Sequence, residues 1–144
     1  MKVKIEISKE YDPAFAVIYT KAVTEEIQRI TELLEKDKGP VTVFRDDRIV
    51  VLKPEEIYMI RVEDEKTMIY SEHDQYRSRK RQKEVFEQVG DSFMRISKST
   101  VVNLKYLDSV EASFGGTMLI KLKNGCKDYV SRFYLKDLKK YLGL

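Results

Sequence analysis

Hydrophobic and polar residues alternate strictly in residues 2–7, where Val3, Ile5 and Ile7 share one side of an extended segment. Alternation of this kind predicts a half-buried strand, because successive side chains of a strand point to opposite faces. A second largely apolar segment, residues 14–21, predicts another strand after an intervening turn. The chain therefore begins with two predicted strands.

From Thr24 the hydrophobic period lengthens to that of a helix. Thr24 is a favourable N-cap, and the acids that follow it suit the positive end of the helix dipole. The apolar stripe of this helix consists of Ile27, Ile30, Leu33 and Leu34. Gly39-Pro40 is predicted to end it, so residues 1–40 are interpreted as a small β-β-α unit. The stripe is interpreted as core, and a dimer or partner surface is the alternative.

After residue 40 the chain changes to short apolar runs separated by turn residues, which predicts antiparallel strands. The predicted strands are 41–44, 49–52, 57–62, 67–70, 75–79, 109–112, 117–123 and 126–130. Residues 81–89 and 133–141 have helical periodicity. Asn124-Gly125 predicts a two-residue type I′ hairpin turn. The predicted fold class is mainly β, within α+β, with antiparallel sheets and short helices in residues 41–144.

The stretch FMRISKSTVVNLKYL, residues 93–107, combines cationic and hydroxyl side chains with apolar ones. This mixture suits a rigid segment that presents hydrogen-bond donors to phosphates and base edges. An ordinary half-buried strand with a polar turn has the same composition, and the stretch alone does not separate the two interpretations.

Downstream residues add an ordered set of motifs. The set is Phe93-Met94-Arg95-Ile96-Ser97-Lys98-Ser99, Val102-Asn103, Asn124-Gly125 and Val130-Ser131-Arg132-Phe133-Tyr134. In this order, and over residues 42–142, the chain resembles the LytTR family of bacterial transcription regulators. The resemblance implies a domain of antiparallel β-sheets that inserts loop residues into successive major grooves of a double-stranded promoter element, as a sequence-specific regulator.

The resemblance also implies which side chains meet DNA. The implied contacts are Lys66, Ser97, Lys98, Ser99, Lys105, Ser131, Arg132 and Lys136. Lys98 and Arg132 are the implied base readers, since an arginine can grip guanine O6 and N7 with two donors. The serines are expected to donate to phosphates. Arg95 contributes backbone charge or is structural, and Asn103 bonds a base or the turn backbone.

Charge is distributed unevenly although the net charge of the 144 residues is only +3. Residues 1–40 carry seven lysines and arginines against eight acids, whereas residues 95–140 carry ten against four. A second basic cluster lies within residues 77–83. The asymmetry favours a polyanionic partner for the later part of the chain.

No motif indicates an active site. The sequence has no glycine-rich phosphate loop, nucleophile elbow or His/Cys metal spacing, so no enzyme activity, cofactor, metal or small-molecule substrate is expected. The one histidine, His73, is interpreted as a surface turn residue. The one cysteine, Cys126, excludes an intramolecular disulfide framework and is interpreted as a strand-edge residue, with a redox role as the alternative.

Residues 1–40 are too few for a phosphoacceptor receiver domain, so regulation by phosphorylation is not expected. The resemblance instead implies control by a regulatory protein partner, membrane-bound in some members, and a homodimer or pair on two half-sites. The chain has no long apolar run or signal peptide, which predicts a cytoplasmic location. The alternative function is a β-rich interaction module whose basic face docks an acidic partner. Binding of single-stranded RNA is disfavoured, because the aromatic residues are spread out.

Overall fold

The computed structural model describes residues 1–12, 14–35 and 39–144. The chain divides into two compact units, Met1–Leu34 and Glu35–Leu144. No helix in the described part of the chain is long and apolar enough to cross a membrane.

Among the described residues of the first unit, the one regular element is helix α1 (Glu25–Glu35), which follows the predicted cap. The Thr24 hydroxyl accepts a hydrogen bond from the Ile27 amide, 3.3 Å. Residues 2–7 and 14–21 form no strand in the single chain, so the prediction of two strands there is wrong. An isolated pair of strands is marginal in water, and alternation by itself supplies no neighbour for the backbone.

The helix stripe of the first unit is not a core. Ile27 and Ile30 are half-buried, whereas Leu33 and Leu34 are 69% and 60% exposed. No described residue of Met1–Leu34 is buried. The interpretation of the stripe as core is therefore wrong within one chain. The predicted end of the helix cannot be compared, because residues 36–38 lie outside the described residues.

The second unit contains two antiparallel sheets, as the predicted fold class requires. Their orders are β2-β1-β5-β4-β3-β7-β6 and β10-β9-β8. The strands are β1 (Val41–Arg45), β2 (Arg48–Leu52), β3 (Met59–Glu63), β4 (Lys66–Tyr70), β5 (Gln75–Ser78), β6 (Phe93–Arg95), β7 (Thr100–Asn103), β8 (Leu107–Ala112), β9 (Met118–Leu122) and β10 (Lys127–Val130). The helices are α2 (Gln82–Val89) and α3 (Arg132–Leu142).

The larger sheet has a hydrophobic core on each face. Ile60 of β3 belongs to a core with Val85 of α2. Its neighbour Met59 points the other way and belongs to a second core, with Ile120 of the smaller sheet and Leu138 of α3. The β-branched runs of the sequence therefore pack between α2 on one face and the smaller sheet with α3 on the other.

The hairpin between β9 and β10 does not have the predicted type I′ turn. Only Gly125 has a positive φ, 93°, whereas that turn requires positive φ at both central residues. The loop is longer, and the Gly125 amide donates to the Leu122 carbonyl, 2.9 Å. Asn124 instead donates its side-chain amide to the Ser71 carbonyl, 2.8 Å, which ties this loop to the connection between β4 and β5.

A two-residue turn with two positive φ angles occurs elsewhere, between β3 and β4. Glu63 pairs with Lys66, and the residues between them have φ of 49° at Asp64 and 65° at Glu65. Neither is glycine, so the flanking strands impose a conformation that the residues themselves disfavour.

Candidate nucleic-acid interface

Loops from both sheets come together at one end of the second unit. Strands β3 and β7 are antiparallel neighbours, and beyond their ladder the Val62 amide donates to the Ser99 carbonyl, 2.8 Å. The turn 63–66, which follows β3, therefore lies at the same end of the sheet as the loop 96–99, which precedes β7.

The smaller sheet contributes the loop 113–117 and the residues after β10. The Ser131 amide donates to the Ile96 carbonyl, 2.9 Å. The Nε of Arg132 donates to the Gly115 carbonyl, 2.7 Å. These bonds join the two sheets at their loop ends. The loop cluster is defined as residues 63–66, 96–99, 113–117 and 131–132.

A basic segment, residues 79–81, begins at the same end of the larger sheet. Ser78 at the end of β5 lies opposite Thr67, which follows the first turn of the loop cluster. Arg79, Lys80 and Arg81 are exposed. The next residue, Gln82, donates its side-chain amide to the Ser99 carbonyl, 2.7 Å, and so connects the segment to the cluster. The structure thus brings together two basic stretches that are separate in sequence.

Gln82 holds the loop 96–99 in place from beneath. It is 5% exposed, and its Nε2 also donates to the Ile60 carbonyl, 2.9 Å. Arg95 donates through Nη1 to Gln82 Oε1 and to the Lys98 carbonyl, both 2.9 Å. Of the two interpretations of Arg95, the structural one is therefore correct.

Reasoning from the sequence assigned no role to Gln82, although a signal for it was present. Gln82, Val85 and Val89 lie at helical spacing and are the buried residues of α2. A polar side chain on an otherwise apolar helix face needs a buried partner. Its partners belong to distant strands, so the sequence could flag the position but could not identify them.

A second polar contact joins the two sheets beside the cluster. Thr100 is fully buried, and its hydroxyl donates to Asp128 Oδ2 on β10, 2.6 Å. Arg61 Nη1 lies 3.6 Å from the same carboxylate oxygen. A buried hydroxyl that bonds to a half-buried carboxylate in this way restricts how the sheets can shift relative to each other. The base of the loop 96–99 is thus held on both sides.

Arg61 is engaged within the protein. Its Nη2 donates to Glu63 Oε1, 2.7 Å, and the Tyr70 hydroxyl donates to Oε2 of the same carboxylate, 2.7 Å. Partial burial raises the pKa of Glu63, but the hydrogen bonds from Tyr70 and Arg61 outweigh it and lower the pKa below its usual value. Burial and the bond to Glu63 raise the pKa of the Tyr70 phenol.

Most residues that the sequence singled out for DNA belong to the loop cluster or lie beside it. The exposed ones are Lys66, Lys98, Ser99, Arg132 and Lys136, and the half-buried ones are Ser97 and Ser131. Lys136 is four residues after Arg132 on α3, so both face the same side of that helix. The hydroxyls of Ser97 and Ser99 are 3.3 Å apart.

Lys105 is the exception, because it follows β7, which leads away from the loop 96–99. Its amide donates to Asn103 Oδ1, 3.1 Å. Asn103 is fully buried, and its Nδ2 donates to the Ile57 carbonyl, 2.9 Å, so its structural interpretation is correct. The structure thus separates Lys105 from the loop cluster by the length of a strand.

The remaining candidate chemistry is limited. Burial raises the pKa of the Cys126 thiol, which disfavours the reactive thiolate. Within residues 1–12, 14–35 and 39–144, no three His, Cys, Asp or Glu residues lie together in a way that could hold a metal ion.

The chain was compared with models of protein families and with solved structures, and both comparisons gave a match. Residues 47–143 match the model described as the LytTr DNA-binding domain. A solved LytTr DNA-binding domain from Bacillus cereus superposes with a TM-score of 0.68, at 23% identity, over 74% of this chain and 98% of that one. At 23% identity the superposition shows that the two proteins share a fold.

Three curated relatives differ in how much of their length the chain matches. Sensory transduction protein LytT of Enterococcus faecalis is 27% identical over 83% of this chain and 57% of its own length. Sensory transduction protein LytR of Streptococcus agalactiae is 33% identical over 71% of this chain and 42% of its own. The chain thus spans about half of these two. A protein of Staphylococcus aureus called an uncharacterized HTH-type transcriptional regulator is 24% identical over 100% of this chain and 99% of its own.

Proposed function

Because the chain belongs to the LytTR family of DNA-binding domains, we propose that it is a sequence-specific transcriptional regulator whose loop cluster enters successive major grooves of a promoter duplex. The observation that carries the proposal is the backbone bond between Ser131 and Ile96, 2.9 Å, which supports adjacent positions for the loops that bear Arg132 and Lys98. Strands separate α1, α2 and α3 along the chain, so the proposed reader is not a helix-turn-helix.

Arg132 and Lys98 are the proposed base readers. The Nε of Arg132 is bonded to Gly115, and its two terminal nitrogens make no hydrogen bond to the described residues. Those nitrogens are the pair that can grip guanine O6 and N7. A guanidinium already oriented by its own protein loses less conformational entropy on binding, which strengthens the contact.

The proposed phosphate contacts flank these readers. Lys136 shares a helix side with Arg132, and Ser97, Ser99 and Ser131 can donate to phosphate oxygens. The basic segment 79–81 extends the positive surface along the end of the larger sheet. Each phosphate neutralised by such cations releases counterions from the duplex.

Lys66 is the weakest of the proposed contacts, and Lys105 is left out. Lys66 follows Asp64 and Glu65, which are exposed and repel phosphates. Its proposed role is therefore a single backbone contact at the rim. Lys105 has no proposed contact, because it lies at the other end of β7.

The test compares two substitutions that each remove one exposed cation. The DNA probe is a duplex selected from a random library by the full chain, and a shuffled duplex serves as the non-specific competitor. Arg132→Ala is expected to lose about 1–3 kcal/mol of discrimination between them and to relax specificity at one base pair. Lys105→Ala, the matched control, is expected to leave discrimination unchanged. Fluorescence anisotropy measures both.

Salt dependence separates the phosphate contacts from the base readers. The logarithm of the binding constant should fall linearly with the logarithm of salt concentration, by about 0.9 for each phosphate contacted. Replacing Arg79 and Arg81 by alanine should reduce this slope without changing base preference. If selection recovers no preferred duplex, or if Arg132→Ala and Lys105→Ala behave alike, the proposal is wrong.

A further inference from the structure

The first six residues after Met1 form an unpaired apolar edge. Val3, Ile5 and Ile7 are 81%, 81% and 94% exposed. Isolated exposed apolar residues are common, but three in alternation on one side of a segment are the pattern of a strand that lacks a neighbour. Nothing in the described chain pairs with this segment.

The polar side of the segment is also ordered as in a strand. Lys4 Nζ lies 3.1 Å from Glu6 Oε1. Residues two apart share a face only where the backbone is extended. The segment therefore presents its apolar side chains to one face and a lysine and a glutamate to the other.

We propose that residues 3–7 pair in antiparallel orientation with residues 3–7 of a second copy of this chain, centred on Ile5. In this register Ile5 lies opposite the second copy's own Ile5, and Val3 lies opposite Ile7. Lys4 lies opposite Glu6 twice, because a two-fold axis repeats each contact. The pairing thus places apolar side chains together on one face and opposite charges together on the other.

Neighbouring registers are less favourable. A shift of one position in the pairing places apolar residues opposite polar ones, so that each face carries a mixture of apolar and polar side chains. A shift of two positions centres the pairing on Lys4 in one direction and on Glu6 in the other. Each sets a charged residue against its own copy, and like charges directly opposite are destabilising. Charge complementarity therefore selects the register centred on Ile5 and selects a second copy as the occupant.

The rest of the unit supplies further apolar surface for such a dimer. A stable interface buries about 1,200–2,000 Å² in total, more than one short strand pair provides. Phe15, Val17 and Tyr19 are 68%, 59% and 93% exposed, and the exposed Leu33 and Leu34 continue the stripe of α1. The second copy is proposed to cover these side chains together with residues 2–7.

The first experiment exchanges charges between copies of the full chain. Lys4→Glu alone and Glu6→Lys alone each replace two opposite-charge pairs by two like-charge pairs, and each is expected to weaken self-association about tenfold. Mixing the two variants should restore association, with the mixed dimer dominant in native mass spectrometry. Both single variants lose the contact between Lys4 and Glu6 within one chain, so that contact cannot account for rescue by mixing.

The second experiment tests the register by disulfide trapping, with Cys126→Ser as the background. Ile5→Cys should form a covalent dimer under mild oxidation, because paired positions in a ladder lie within disulfide reach. Val3→Cys and Ile7→Cys are the matched controls. Each would lie four residues from its own copy, about 14 Å along the strand, and should not cross-link alone. A mixture of these two should.

Each outcome is decided without DNA, so failure here leaves the proposed DNA binding untouched. The proposal is overturned if sedimentation shows the full chain to be monomeric at about 100 µM, where a dimer with a dissociation constant of about 1 µM would predominate. It is also overturned if mixing gives no rescue, or if Val3→Cys cross-links alone as readily as Ile5→Cys. If the chain stays monomeric and binds a regulatory protein through this unit, the proposed self-pairing is also wrong.

Discussion

Residues 2–7 and residues 41–43 of strand β1 alternate between apolar and polar side chains in the same way, but they differ in burial. In β1, Val41 and Val43 are 1% and 0% exposed. In residues 2–7, Val3 and Ile5 are both 81% exposed. Strand β1 has β2 and β5 as neighbours and shares a core with α2, whereas residues 2–7 have no partner strand in the described chain. Alternation therefore specifies which side of a segment can be buried, and the surrounding chain decides whether it is.

The same contrast extends to polar groups. Gln82 and Thr100 are buried, and their side chains hydrogen-bond to residues of other strands and of the loop 96–99. In the first unit the described side-chain hydrogen bonds, such as the one to the Thr24 hydroxyl, are local, and most of them are exposed. A unit held by distant contacts should lose more free energy of unfolding per substitution than one held by local contacts.

The largest expected effect is the difference in unfolding free energy between two isoleucine substitutions, one in each region. Ile60→Ala should lower the free energy of unfolding by about 2–5 kcal/mol, because Ile60 is fully buried and its removal leaves a cavity. Ile5→Ala should change it by less than about 0.5 kcal/mol in dilute monomer, as is usual for an exposed site. Urea unfolding of the full chain measures both. A cost above 1 kcal/mol for Ile5→Ala in the monomer would break the comparison.

The next effect concerns Gln82, whose side chain hydrogen-bonds beneath the loop 96–99. Gln82→Ala leaves the Ile60 and Ser99 carbonyls without this partner and should cost about 1–3 kcal/mol. Thr24→Ala removes a local cap and should only increase hydrogen exchange at the start of α1. Amide exchange followed by mass spectrometry distinguishes the two. Exchange spreading into β3 and β7 is expected for Gln82→Ala alone.

A smaller effect of opposite sign is expected in the turn between β3 and β4. Glu65→Gly should raise the free energy of unfolding by roughly 1 kcal/mol, because glycine tolerates the φ of 65° that glutamate adopts there. A higher thermal midpoint is the measurement. An unchanged or lower midpoint would mean that the flanking strands impose no strain on this residue.

The smallest effect is a dependence on pH. The pKa of Glu63 is lower in the folded chain than its usual value of 4.5, so its ionised form stabilises the fold above that pH. This stabilisation should be lost as pH falls through the folded pKa. Glu63→Gln should therefore flatten the acid side of the stability profile. The exposed Glu6→Gln serves as control, and equal profiles for the two variants would contradict the assignment.

Two turns show where local sequence rules fail. Asn124-Gly125 satisfies the composition of a type I′ turn, yet Asn124 bonds to Ser71 and the loop is longer. Asp64-Glu65 lacks that composition, yet its residues take two positive φ angles because β3 and β4 pair directly across them. In both cases contacts distant in sequence outweigh the preference of the turn residues.

Part of the candidate interface could be predicted from the sequence. Lys98 and Arg132 follow from the motifs around them, and the helix α3 that carries Lys136 follows from its periodicity. The basic segment 79–81 could not be joined to them, since its proximity depends on the pairing of Ser78 with Thr67. Lys105 belongs to the stretch 93–107, but β7 places it at the end of the sheet that is distant from the loop 96–99.

The helices, most strands of residues 41–144 and the family could be predicted from residue patterns alone, because short-range periodicity and local motifs encode them. Three features are visible only in the folded chain. Residues 2–7 are unpaired in one chain, Gln82 supports the loop 96–99, and Lys105 lies far from that loop. Burial and strand pairing are properties of contacts between residues far apart in the chain, and a local pattern cannot specify its own partner.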